Sequence, residues 1–141
     1  MMGGLFAWLN EVLAMIARAL GTVTHTLDGG LPAPIRRALA DAWRVVGQPY
    51  EWGAEASPDD DHPAAFDCSE LVQWCLTRAG LACPDGARAQ YRWTSPVPVQ
   101  DRRPGDLVFL ADKGGGPGSI SHVGIIAEDA DTIVASMGPR S

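Results

Sequence analysis

The 141-residue chain is poor in the residues that build metal and disulfide frameworks, with only three cysteines and three histidines. No two of Cys68, Cys75 and Cys83 stand in a C-x-x-C spacing, which argues against a zinc site. Their odd number also offers no pairing framework for disulfides. Positive charge is scarce: 11 Lys and Arg stand against 17 Asp and Glu, a net charge of −6. That balance argues against nonspecific binding to nucleic acid or to anionic membrane surfaces. No apolar run is long enough to span a bilayer. The longest stretch, Leu5 to Leu20, is short for a span and carries Asn10, Glu11 and Arg18. It has neither the positive n-region nor a clear cleavage site of a secretory signal. Repeats and low-complexity tracts are also missing, and nothing in the chain calls for a cofactor. Sixteen glycines and eleven prolines make the chain loop-rich, but 46% hydrophobic residues can support a core. The length fits one compact domain with a modest extension.

What is present is concentrated around one cysteine. In Phe66-Asp67-Cys68-Ser69-Glu70-Leu71-Val72-Gln73-Trp74, apolar residues recur at helical spacing through Ala79. Gly80 is a natural stop. Asp67 is placed as the N-cap, with Glu70 at the capping-box position. Cys68 then falls at the first helical position, where free N–H groups and the helix dipole favour a thiolate. Residue type alone would make Cys68 a small buried hydrophobe; its position and flanks favour a nucleophile. Cys75 lies two turns along, ~10 Å away at ~1.5 Å per residue, too far for a disulfide. Both Cys75 and Cys83 read as structural.

Downstream, His122 opens an apolar run, Val123-Gly124-Ile125-Ile126-Ala127, which ends at the acidic turn Glu128 to Asp131. Thr132-Ile133-Val134-Ala135 follows, so the pair predicts a hairpin. Arg103-Pro104-Gly105-Asp106 predicts a turn into a strand at Leu107-Val108-Phe109-Leu110. A cysteine at a helix start with a distant histidine is the arrangement of a thiol hydrolase or acyltransferase. His25 sits among threonines and His62 in an acidic loop, neither framed by an element end.

Five runs in order resemble the NlpC/P60 family of cysteine peptidases. They are Tyr50-Glu51-Trp52-Gly53, Phe66-Asp67-Cys68-Ser69, Leu71-Val72-Gln73, Pro104-Gly105-Asp106-Leu107-Val108-Phe109 and His122-Val123-Gly124-Ile125. The resemblance implies an α+β, papain-like core in which the nucleophile's helix packs on an antiparallel sheet carrying the histidine. It implies Cys68 as nucleophile, His122 as general base and Tyr50 as an accessory hydroxyl. The substrate it implies is a peptidoglycan stem peptide, met at the bacterial cell wall. Three features depart from the family pattern. Glu70 stands where glycine is common. Ala54 to Ala65 makes a longer, acidic loop, expected to be solvated. Val134 occupies the place of the third polar residue that orients the histidine, with Ser136 the nearest polar candidate.

These departures keep a second class open: a catalytically impaired module that grips cell-wall peptide within a phage-tail or secreted assembly. A thiol amidase or acyltransferase on another substrate is a further alternative. Domain organisation is expected as 1–33, an apolar helix and linker, and 34–141, the NlpC/P60-like domain, whose remaining strands would follow Ser141. The N-terminal helix is expected to serve packing, self-association or a larger assembly, with membrane contact the lesser option. A second helix is expected over Ile35 to Gly47, with Leu39, Trp43 and Val46 on its packed face. Lys113 to Gly118 is expected to form a flexible lip beside His122.

Overall fold

The computed structural model describes residues 2–3, 13–19, 30–112 and 117–138. The expected lip at 113–116, His25, and the first part of the expected N-terminal helix lie outside these residues.

A mixed-order antiparallel sheet carries the fold. Its strands are β1 (Met2–Gly3), β2 (Leu13–Ala19), β3 (Thr94–Val97), β4 (Leu107–Ala111), β5 (Ile120–Ile126) and β6 (Thr132–Val134), in the order β1-β6-β5-β4-β2-β3. Three helices accompany it: α1 (Ala33–Arg44), α2 (Cys68–Arg78) and α3 (Ala87–Trp93). The α+β class read from the sequence is the class of the molecule.

One expectation fails. Leu13–Ala19 is a strand, not the second half of a helix, and it lies between β3 and β4. Its register pairs Ile16 with Val108 and Ala17 with Leu107. Ile16 packs into one apolar cluster and Ala17 into the other. A strand covered on both faces reads as an unbroken apolar run, which periodicity cannot separate from a helix. Arg18 fastens it: the guanidinium donates to both carboxylate oxygens of Asp106, at 2.7 and 3.0 Å. Asp106 is 1% exposed and also accepts from the Arg103 amide. Such a bidentate pair aligns two segments as well as joining them. The strand upstream of residue 34 thus shares one sheet with strands from 34–141.

Helix α1 starts at Ala33 with Pro34 second, and the missing N–H of Pro34 costs nothing in the first turn. Its packed face is Ile35, Ala38, Leu39 and Ala42, an i, i+3, i+4, i+7 set. Leu39 is packed as expected, but Trp43 is 38% and Val46 59% exposed. Trp43 falls at the edge of that stripe and Val46 lies past the helix end.

Helix α2 has the expected start and stop. Gly80 takes a left-handed φ of 93°. Its amide donates to Thr77 O and that of Leu81 to Leu76 O, both at 3.0 Å, closing a Schellman motif. Leu71, Val72, Trp74, Cys75 and Leu76 are buried against the sheet face that carries Val123, Ile125 and Val134. β4 and β5 are the neighbouring central strands, pairing Phe109 with Val123 and Leu110 with His122.

Candidate functional site

The amino end of α2 is held by Asp67. Its extended backbone (φ −92°, ψ −178°) places the carboxylate over the first turn. Oδ1 accepts the Glu70 amide at 2.8 Å and the Ser69 hydroxyl at 3.2 Å; Oδ2 accepts the Gly53 amide at 3.3 Å. Cys68 is therefore at the first helical position, as the spacing predicts. Behind it Phe66 meets Trp74 edge-on, ring centroids 5.4 Å apart, which seats the incoming chain on the helix.

Glu70 does only half of what a capping box requires. Its carboxylate does not close on Asp67 but accepts the Ala56 amide at 2.8 Å. Burial raises its pKa, the Ala56 amide opposes the rise, and Asp85, Asp67 and Glu55 add to it. The residue that replaces glycine thus pins the long loop. The loop is pinned elsewhere too. Trp74 Nε1 donates to Asp60 O at 3.0 Å, Arg78 to Pro58 O at 2.7 Å and to Asp61 Oδ1 at 2.8 Å, and Arg44 to Asp61 O at 2.5 Å. Asp41 holds both guanidiniums, which also lie over the Trp74 ring at 4.7 and 5.4 Å. The loop is exposed over residues 57–62, as expected, and its backbone is in addition clamped to α1 and α2.

The three thiols differ by burial. Cys75 and Cys83 are buried, and burial pushes Cys83 up to about 12 and Cys75 further. Cys68 keeps part of its surface open. Its thiol is nonetheless raised, not lowered as the helix start suggested. Burial is the main cause. The Val123 backbone N–H opposes it, Asp67 adds to the rise, and the amides of Ser69 and Cys68 itself oppose it. Desolvation at the interface with β5 outweighs the helix-end amides.

The thiol thus feels the Val123 N–H of β5, the residue after His122. His122 is half-buried, and burial lowers its pKa, so the ring is neutral at pH 7. Its Nε2 is buried and has no hydrogen-bond partner among the described residues. Tyr50 is joined to the same region by a bridge to Phe66, in which Glu51 N donates to Phe66 O at 3.0 Å and Phe66 N to Pro49 O at 3.1 Å. Burial raises the Tyr50 pKa, and the charges of Cys68 and Asp67 raise it further. Its hydroxyl is therefore protonated and able to donate.

The place expected for the orienting group holds the apolar Val134, and the nearest polar candidate, Ser136, is bonded elsewhere. Val134 is in the core, paired with Ile125. Ser136 donates its hydroxyl to Phe66 O at 2.8 Å. A polar residue missed from the sequence sits beneath the site. Gln90 is fully buried, and its Nε2 donates to Ser69 O at 2.9 Å and Pro84 O at 3.0 Å. Nothing in the local pattern around Gln90 points to that role, because both acceptors belong to other elements.

Over 97 residues the chain is 36% identical to the probable endopeptidase p60 of Listeria monocytogenes, covering 69% of this chain and 18% of that protein. It is 40% identical over 102 residues to a probable endopeptidase of Mycobacterium bovis, covering 72% and 22%. The bifunctional muramidase/DL-endopeptidase CwlT of Bacillus subtilis is 38% identical over 87 residues, 62% of this chain and 25% of CwlT. The chain thus spans no more than a quarter of these relatives' length. A crystal structure from Staphylococcus aureus, described as similar to a lipoprotein of the NLP/P60 family, superposes with TM-score 0.57 at 28% identity, over 67% of this chain and 30% of that one. The NlpC/P60 family model matches residues 47–140, which run from the Tyr50 bridge through α2 to β6, and the chain belongs to the NlpC/P60 family.

Proposed function

We propose that the chain is a cysteine peptidase acting on amide bonds in the stem peptides of bacterial peptidoglycan. Cys68 is the nucleophile, His122 the general base and Tyr50 an accessory donor. One observation carries the proposal: Cys68 is the thiol with open surface, at the start of α2, and α2 packs against β5, the strand that carries His122. The names of the relatives support the substrate class, since CwlT is a DL-endopeptidase and p60 a probable endopeptidase.

With the thiol raised and the imidazole lowered, the resting pair is neutral. Proton transfer must then accompany attack. His122 takes the thiol proton as sulfur bonds to the carbonyl carbon, and returns it to the leaving amine as the C–N bond breaks. Water, deprotonated by the same ring, then attacks the thioester and releases Cys68. The Cys68 backbone N–H and the Tyr50 hydroxyl are the donors offered to the oxyanion. A D-glutamyl bond is the proposed cleavage point.

A second reading rests on the unpartnered Nε2 of His122 and the apolar Val134: a module that binds the peptide without cutting it. Digestion of purified peptidoglycan, with fragments identified by mass spectrometry, separates the two. New amino termini from the unmodified chain and none from Cys68→Ala support the peptidase. Co-sedimentation with peptidoglycan and no fragments from either supports the binding module.

A further inference from the structure

Trp52 is the least covered aromatic side chain among the described residues, 86% exposed, and the segment that carries it bonds to Phe66 and Asp67, the two residues before Cys68. Exposing an indole is unfavourable, because it forgoes the burial of a large apolar surface. A flexible tip could fold such a ring back onto the protein, but the backbone that carries this exposed ring is fixed. Glu51 N donates to Phe66 O at 3.0 Å, and Ala54 N closes a turn on Glu51 O at 3.1 Å. Gly53 takes a left-handed φ of 76° and donates to Asp67 Oδ2, and Ala56 N donates to Glu70 Oε1. Four backbone bonds therefore fix the segment on both sides of Trp52, and one of them ends on the residue before Cys68. The conformational cost of presenting the ring has been met in the fold, which is the condition for a preorganised contact.

We infer that Trp52 is a platform for a sugar ring of the glycan to which the stem peptide is attached, and so a specificity-determining residue of the reaction proposed above, on which this inference rests. The charge around it selects the occupant. Glu51 and Glu55 are exposed on the same segment, and Asp67 lies behind it. Carboxylates repel an anionic peptide segment, whereas they accept hydrogen bonds from neutral sugar hydroxyls. The C–H face of a pyranose matches the negative face of an indole. Reach is also consistent. A peptide spans at most ~3.6 Å per residue, so a sugar joined two residues from the scissile amide lies within ~7 Å of it, and the Gly53 bond ties this rim to the residue before Cys68.

The test measures binding in a Cys68→Ala background, where chemistry cannot intervene, and turnover in the intact chain. Two probes are used: an N-acetylated disaccharide carrying the stem peptide, and the free stem peptide. Trp52→Ala is expected to weaken disaccharide-peptide binding roughly tenfold, with Trp52→Phe recovering most of the loss and free-peptide binding changed less than about twofold. In turnover, KM for the disaccharide peptide rises while kcat holds. Equal losses on both probes would assign the ring to the peptide and overturn the glycan platform, as would no loss on either. If the intact chain cleaves neither probe but the disaccharide-dependent loss remains in binding, the peptidase reading fails and the platform stands.

Discussion

Asp67 carries two opposed effects that substitution can separate. Its carboxylate caps α2 and ties Gly53 to it, which stabilises the fold. Its negative charge raises the Cys68 thiol, which works against thiolate formation. Asparagine keeps a capping oxygen of equal quality and removes the charge, whereas alanine removes both. For Asp67→Ala, losing the cap costs ~1 kcal/mol. The two longer bonds, at 3.2 and 3.3 Å, add about 0.5 kcal/mol each as weak, solvent-edge contacts. The total is about 2 kcal/mol, a fall in Tm of roughly 6–10 °C for a domain of this size. For Asp67→Asn the loss should be about 1 kcal/mol, because the amide NH2 that replaces Oδ2 cannot accept from Gly53 and charge assistance is removed, while the capping oxygen stays. Iodoacetamide labelling at pH 7 reports the other effect. Without the charge the thiol titrates lower, so Cys68 in Asp67→Asn is alkylated faster than in the unmodified chain. Thermal melts and peptide-mapped labelling rates of the three proteins check both effects. Slower labelling in the asparagine variant, or equal melting of the alanine and asparagine variants, would refute this account.

Among the three thiols Cys68 should label first in the folded protein, as the one with open surface; faster labelling of Cys75 or Cys83, read by the same mapping, contradicts the assignment. His122 is lowered by burial, so the acid limb of the kcat/KM profile should lie below the ordinary histidine range of about 6.5, and activity should persist into mildly acidic conditions. The same shift works on stability. Below the unfolded value the denatured chain takes the proton first, so the native state loses stability as pH falls through that window, and His122→Ala should flatten this slope in melts taken across it. Gly124→Ala would place a methyl 2.5 Å from Ile133 Cγ2 and 3.2 Å from Val134 O. It should cost ~1–3 kcal/mol by prising β6 from β5, measured by urea unfolding. Arg78→Met removes the clamp on Pro58 O and Asp61, so amides of 57–62 should exchange with deuterium faster while those of β4 and β5 keep their protection.

The parts legible in the sequence are those whose cause is local. Asp67, Cys68 and Glu70 announce a helix start within four residues, and Gly80 its end, because caps are made by neighbours along the chain. The β5–β6 hairpin is equally local, its turn closed where Asp129 accepts the amides of Asp131 and Thr132. What escaped depends on distant partners. Leu13–Ala19 becomes a strand because β3 and β4, some eighty residues away, offer it hydrogen bonds on both sides. β3 tolerates Pro96 because it lies at the sheet edge, with β2 as its one neighbour. The acidic loop is clamped by Arg44, Arg78 and Trp74, whose side chains point at it only once α1 and α2 have packed. The direction of the Cys68 shift also needed the fold. A helix start favours the thiolate, but the interface with β5 takes the sulfur out of water, and desolvation dominates. That same interface brings the Val123 amide to the sulfur and buries the ring that precedes it. Burial and proximity are thus one packing event, and any substitution that loosens α2 from β5 should move the Cys68 thiol and the His122 ring back toward their ordinary values together.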